Sequence, residues 1–387
     1  MIALKMILTD KLFVTCPRGL EEPLSNEIIT LLGKKPYIDS GGVHVEGRLD
    51  CIYKLNLETR CSMFVLQEIV TFSSSGIEDL YEKVKSYPWY KLILSSDTFS
   101  IRLKVNSKVF KGSNFLTLRV KDGIVDRIRQ ENNNRPSIDK ENPTYSIFVY
   151  IRNNTVRIYL NTSGAALCLR GYRGKVHRAS LNQSLAAGLI LLSNWDMKSP
   201  FYDPMCGSGT IPIEALMMRL SIPPRINRDT YGFKKWKSFD SDLFNKIEKE
   251  STQKIKPLKS VSIYASDNTE SNITLVKQSL ERIKQVGSIE LKVMDIGDFK
   301  TNGDGGIIIM NPPHGHRMSQ VKALQGLYRK IGDRLKKECA GHDVYIFCMN
   351  NSLSKSIGLR TKRKFILKNG KLDCRLLYFP MSEGKFT

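Results

Sequence analysis

Apolar positions recur with a period of two over short stretches and near 3.6 over longer ones, and the two kinds alternate along most of the chain. "LFVTC" (12–16) predicts a strand, and "GLEEPLSNEIITLLG" (19–33) an amphipathic helix stopped by Gly33. Further strands are expected at "GGVHVEG", "SMFVLQEIVTF" and "FSIRLKV". Helices are expected at "RLDCIYKLNL", at "GIEDLYEKVKSYPW" as far as Pro88, and at "FLTLRVKDGIVDRIRQEN". "YSIFVYIRNNTVRIYLNT" reads as a hairpin turning on Asn153 and Asn154. Mixed units that end in antiparallel pairing predict an α+β arrangement for this part.

The pattern changes after the basic stretch "LRGYRGKVHR" (169–178). "LNQSLAAGLILLSNW" predicts a helix, and "PFYDPMCGSGTIPIEALMMRL" a strand, a glycine loop and a helix. "SVSIYASDN", "IELKVMD", "GIIIMNPP" and "DVYIFCM" read as strands, with helices at "TESNITLVKQSLERIKQVG" and "QVKALQGLYRKIGDRLKKE". Continuous apolar strands alternating with helices predict a doubly wound α/β sheet, mostly parallel and covered on both faces. This part is expected to have a core of its own.

Charge adds a partner. The 387 residues hold 60 Lys and Arg against 38 Asp and Glu, a net of +22 that points to a polyanion. Residues 161–387 hold 37 of those bases and 20 of the acids, so most of the excess lies there. Within the first part, residues 101–135 carry nine basic and three acidic side chains. The eight cysteines form no C-x-x-C pair, which gives no sign of a zinc ribbon or redox motif and suggests buried thiols in a reducing compartment. No secretory leader is expected at the N-terminus and no apolar run approaches a membrane span, so a cytoplasmic protein is expected.

The chemistry gathers at strand ends. In "YDPMCGSGT", Asp203 closes a strand before a loop in which Gly207 and Gly209 permit a sharp turn and close approach of a ligand. The loop lacks the third glycine of a dinucleotide fingerprint and the Lys-Ser/Thr of a P-loop. Asp267 and Asp295 close the next two strands. Three acids in register with a glycine loop suit a nucleoside gripped by its sugar and base. In "IIIMNPPHGHRM" (307–318), the Asn311 side chain and the Pro312 carbonyl can accept hydrogen bonds, and Pro312 and Pro313 stiffen the turn. His314 and His316 lack the further ligands a zinc site needs, so no metal is expected.

"DPMCGSGT" and "NPPHGHRM" resemble two motifs of class I S-adenosylmethionine-dependent methyltransferases that act on exocyclic amines. "TCPRGLEE", "GGVHVEG", "LRVKDGIVDRIR" and "LRGYRG" resemble the THUMP-containing RNA methyltransferases. The nearest resemblance is to the guanine-N2 methyltransferase domain for bacterial large-subunit ribosomal RNA. It implies a ferredoxin-like module (1–60), a THUMP domain (61–165) and a Rossmann-like methyltransferase domain (166–387) beginning with a basic connector (166–180). It implies S-adenosylmethionine as cofactor, with Asp203, Met205, Cys206, Gly207 and Gly209 at its methionine end, Asp267 on the ribose and Asp295 on the adenine side. Asn311, Pro312, Pro313 and His314 would hold the target base, His314 by stacking where relatives usually carry an aromatic residue such as Tyr. Ser180 and His316 stand where relatives often have Pro and Glu. RNA contacts are expected from Lys108, Lys111, Arg119, Lys121, Arg170 and Arg173. An adenine-N6 methyltransferase of RNA or DNA, a guanine-N2 methyltransferase of tRNA and a catalytically impaired RNA-binding protein are the alternatives.

Overall fold

The computed structural model describes residues 9–174, 181–258, 260, 262–303, 305–315, 318–349 and 351–382. In chain order the strands are β1 (Lys11–Thr15), β2 (Tyr37–Asp39), β3 (Gly42–Glu46), β4 (Phe64–Ser73), β5 (Thr98–Asn106), β6 (Ser137–Ile138), β7 (Tyr145–Arg152) and β8 (Thr155–Asn161). They form one sheet in the order β2-β3-β1-β4-β8-β7-β5-β6. The expected boundary at 60/61 falls just before β4, which pairs with β1 on one side and β8 on the other. The two N-terminal modules therefore share a sheet. Alternation decides its faces: Ile147, Val149, Ile151, Val156, Ile158 and Leu160 are fully buried, while Phe148, Tyr150 and Arg157 between them look out from the other side. The β7–β8 hairpin turns where expected, with Asn153 in the left-handed region at φ 53°.

The second sheet comprises β9 (Phe201–Asp203), β10 (Ile263–Asp267), β11 (Glu290–Val293), β12 (Ile307–Met310), β13 (Asp343–Cys348), β14 (Arg363–Asn369) and β15 (Leu372–Pro380). Its order is β11-β10-β9-β12-β13-β15-β14, with β15 antiparallel to β13. From β9 the chain steps outward to β10 and β11, then returns to β12 on the other side of β9. Ligands bind in the crevice that such a reversal opens beyond the carboxyl ends of the strands. All four residues of β12 are buried, as its unbroken apolar run requires. The β14–β15 hairpin and the helix Ser241–Gln253 were not foreseen from the sequence.

The C-terminal part has a buried cluster of its own around Tyr202, Ile308, Tyr328, Val344 and Phe379, but its other face shares a core with the N-terminal part, so the expectation of a separate core holds only in part. One buried apolar cluster runs from Leu12 and Val65 in the first sheet to Leu189, Met217 and Leu376 in the second part. Buried arginines pin the parts together. Arg225 donates to Ser62 Oγ at 2.9 Å and to the Thr59 carbonyl. Arg228 donates to the carbonyls of Ser163 (2.9 Å), Ala165 (2.8 Å) and Ala166 (2.9 Å). At Gly19, φ is +92° and a Cβ would stand 2.2 Å from the Ile366 carbonyl oxygen, so only glycine lets this loop dock on β14.

Candidate active site

β9 delivers Asp203 to the crevice, and the loop that follows leads into the helix Thr210–Arg219. Gly207 and Gly209 both adopt left-handed φ, 52° and 78°. Their reasons differ. A Cβ on Gly209 would strike Val276 at 2.7 Å, whereas one on Gly207 would meet nothing within 4 Å. Gly209 is thus set by packing, and Gly207 leaves space open over the loop.

Asp203 is only 1% exposed. Its Oδ1 accepts from the Met205 N–H at 3.2 Å, and its Oδ2 is buried without a partner among the described residues. Burial pushes its carboxyl well above the usual carboxylate range; the Met205 bond opposes this and the Asp267 charge adds to it. An orphaned, buried carboxylate oxygen beside an open glycine loop calls for a cationic donor.

Asp267 is already committed to structure. Its Oδ2 accepts from the Gly207 N–H at 2.9 Å, and its Oδ1 from the Thr269 N–H at 3.1 Å and Asn272 Nδ2 at 2.9 Å. It ties the glycine loop to the end of β10. Asp295 lies two residues beyond β11. Its Oδ1 accepts from Lys330 Nζ at 2.5 Å and the Gly297 N–H at 2.7 Å, and the lysine bond chiefly holds its carboxyl below the usual range. Cys206 is buried, which pushes its thiol well up, with Asp203 and Asp267 adding to the shift. Burial and the two carboxylates both work against a thiolate there.

β12 lies beside β9, with Ile308 opposite Tyr202, so Asn311 emerges one strand away from Asp203. The His314 Nε2–H donates to Asn311 Oδ1 at 2.8 Å, and the ring stands edge-on to Phe347, centroids 5.8 Å apart at 76°. The histidine therefore engages the acceptor expected to hold the substrate amine, in addition to any stacking. Pro312 is buried and Pro313 exposed. The Tyr328 hydroxyl donates to the Pro313 carbonyl at 3.2 Å and braces the turn from the helix Met318–Glu338. Nothing in the sequence marked Tyr328 or Lys330 for these positions. His316 and Ser180 lie outside the described residues, as do residues 175–178 of the connector.

The expected RNA contacts do not share one environment. Lys108 and Lys111 are exposed. Arg119 is held by Glu78 at 2.7 Å over the Tyr81 ring, and Lys121 by Asp122 at 2.9 Å. Arg173 is half-buried and donates to the Leu181 carbonyl at 3.1 Å. Arg170 must be removed from the set. Its side chain is fully buried, paired with Glu214 at 3.3 Å and bonded to the Arg60 and Leu167 carbonyls, so no phosphate can reach it.

Comparison with known proteins assigns the chain to a family. A family model described as an RMKL-like methyltransferase domain matches residues 170–377, a THUMP domain model matches 74–161, and an RlmL ferredoxin-like domain model matches 11–66. A Synechocystis sp. protein whose name proposes an RNA methyltransferase is 31% identical over 373 residues, covering 96% of this chain and 97% of that one. The ribosomal RNA large subunit methyltransferase K/L of Syntrophotalea carbinolica is 30% identical over 388 residues. That alignment covers 97% of this chain and 54% of the relative, so the chain spans about half of that protein's length. Among solved structures, SMU.472, described as a candidate methyltransferase complexed with SAH, superposes with a TM-score of 0.87 at 26% identity, covering 98% of this chain and 100% of that one.

Proposed function

Since the chain belongs to the RMKL-like methyltransferase family, we propose that it methylates the exocyclic N2 amine of a guanine in large-subunit ribosomal RNA. Its cofactor is S-adenosylmethionine, which supplies a methyl group on an electrophilic sulfonium. The observation that carries the reading is the placement of Asn311, on a proline-stiffened turn, one strand from the open loop at Gly207 and the unpaired Asp203 oxygen.

Asp203 Oδ2 would accept from the ammonium of the cofactor, and Met205, Cys206 and Gly207 would line its methionine end. Asp267 keeps acceptor capacity for the ribose, because a carboxylate offers about four lone-pair sites and three are used here. Asp295 would face the adenine side.

An exocyclic amine is a weak nucleophile while its lone pair is delocalised into the ring. Asn311 Oδ1 and the Pro312 carbonyl can accept its two N–H groups, localise the lone pair and aim it. An amide oxygen has two lone pairs, so Asn311 can receive the amine while His314 keeps its bond or as it turns away. Positioning then supplies much of the catalysis, and the proton can leave after transfer. If the guanine lies in a helix, it must be flipped out to reach this turn. The exposed cations Lys108 and Lys111 would meet backbone phosphates.

The test is mass mapping of modified nucleosides in RNA from a deletion strain, with restoration by the purified enzyme. Loss and recovery of one N2-methylguanosine in large-subunit ribosomal RNA is expected. A missing N6-methyladenosine, or a missing tRNA modification instead, would overturn the assignment.

A further inference from the structure

We propose that the groove between the open face of the eight-stranded sheet and the β14–β15 hairpin holds a single-stranded segment of the RNA substrate, with bases on its aromatic rings and phosphates on its cations. This rests on RNA being the substrate. The groove encloses about 400 Å³. Its floor is ordered by strand register. Phe148 and Tyr159 line it in one cross-strand row that Arg102 on β5 continues beyond the lining, and Lys104, Tyr150 and Arg157 form the next row. Each row sets a cation beside a ring, and Lys104 Nζ lies 6.0 Å from the centre of the Tyr150 ring.

The charges on this face differ from those on the neighbouring helix Ser113–Asn132. On that helix Arg119, Lys121, Arg127 and Arg129 are each paired with a carboxylate. On the sheet face, Arg152 and Arg157 share the single carboxylate of Asp39 at 3.6 Å each. Among the described residues no carboxylate pairs with Arg102 or Lys104, nor with Arg18 on the groove wall. Within residues 101–135 the helix cations are therefore largely neutralised, whereas Arg102 and Lys104 on the sheet stay available, as do Lys108, Lys111 and Arg135 in the flanking loops. Unpaired cations beside the half-exposed rings of Phe148 and Tyr150 match unstacked bases on a phosphate backbone, with the buried Tyr159 backing the floor. A duplex would bring phosphates but hide the faces of its bases from the rings.

The groove also points to the catalytic turn. Cys348, at the carboxyl end of β13, pairs with Arg375, so the β14–β15 turn projects from the edge where Asn311 stands. Lys368 and Gly370 at that turn form one wall. β12 and β14 are three strand spacings apart, roughly 15 Å. A strand held here would pass its next few nucleotides to the active site.

The experiment measures binding of a labelled eight-nucleotide oligouridine to the full chain by fluorescence anisotropy. Lys104→Gln, an exposed change that spares the fold, should weaken binding about fivefold or more and lower the salt slope by about one. Tyr150→Leu should weaken it about tenfold. Both should leave calorimetric affinity for S-adenosylhomocysteine unchanged, and Lys246→Gln, on a remote helix, should bind oligouridine as the wild type does. Unchanged binding by both groove variants would overturn the proposal. So would displacement of the oligouridine by an RNA duplex or a polyglutamate peptide as effectively as by unlabelled strand. A wild type that methylates ribosomal RNA but does not bind oligouridine sinks the groove alone. A wild type that methylates no RNA sinks the reading beneath it.

Discussion

Asp203→Asn should weaken S-adenosylmethionine binding and remove its pH dependence. In the ligand-free protein, burial holds the Asp203 carboxyl well above the ordinary range, and one oxygen has no donor among the described residues. A cofactor ammonium at that oxygen favours the ionised form. Affinity should therefore rise with pH through the ligand-free value and level off above it. A charge-assisted hydrogen bond contributes about 1.5–3 kcal/mol, so the amide should bind roughly tenfold to a hundredfold more weakly near neutrality. The same group works against stability. Its folded carboxyl titrates above the unfolded value of about 3.9, so its favourable contribution is complete below that value and is lost as pH rises through the folded one. Ligand-free Asp203→Asn should thus melt at a higher temperature than the wild type at neutral pH, with the gap closing towards about pH 4. Calorimetric titrations from acid to neutral pH, paired with thermal melts, check both signs. Equal affinities, or a pH slope that survives in the variant, would refute the assignment of Asp203 to the cofactor amine.

Three further outcomes are expected. Asn311→Ala should lower the single-turnover rate about a hundredfold or more while S-adenosylhomocysteine affinity holds, since it removes a preorganised acceptor; loss of cofactor binding in parallel would refute that division. His314→Tyr should remain active, because tyrosine keeps a ring that can stack on the base and releases Asn311 Oδ1 from the His314 bond; an inactive tyrosine variant would make the imidazole indispensable. Residues 166–387 expressed alone should show no cooperative melt by circular dichroism, because Arg225 and Arg228 lose carbonyl partners and each stranded donor costs about 1–3 kcal/mol; a native-like transition would refute the shared core.

Periodicity, turn residues and two short motifs determined much of this protein before any tertiary contact forms. Strand and helix positions are local consequences of side-chain alternation, so β9 to β13 and most of the helices between them were legible, the helix Ser241–Gln253 excepted. The glycine loop and the Asn-Pro-Pro turn were legible because each needs particular residue types at adjacent positions. Contacts made over long sequence separations were not. Arg170 reads as one more cation in a basic stretch, and only packing against Glu214, 44 residues away, withdraws it from RNA. Asp267 reads as a ligand for ribose, yet its bond to the Gly207 N–H also makes it the anchor of the glycine loop. The sequence cannot show whether a basic side chain meets a carboxylate across a helix or stands unpaired beside a ring across a sheet. That difference separates Arg119 from Lys104. Strand register and burial decided it, because both depend on which distant segments the fold brings together.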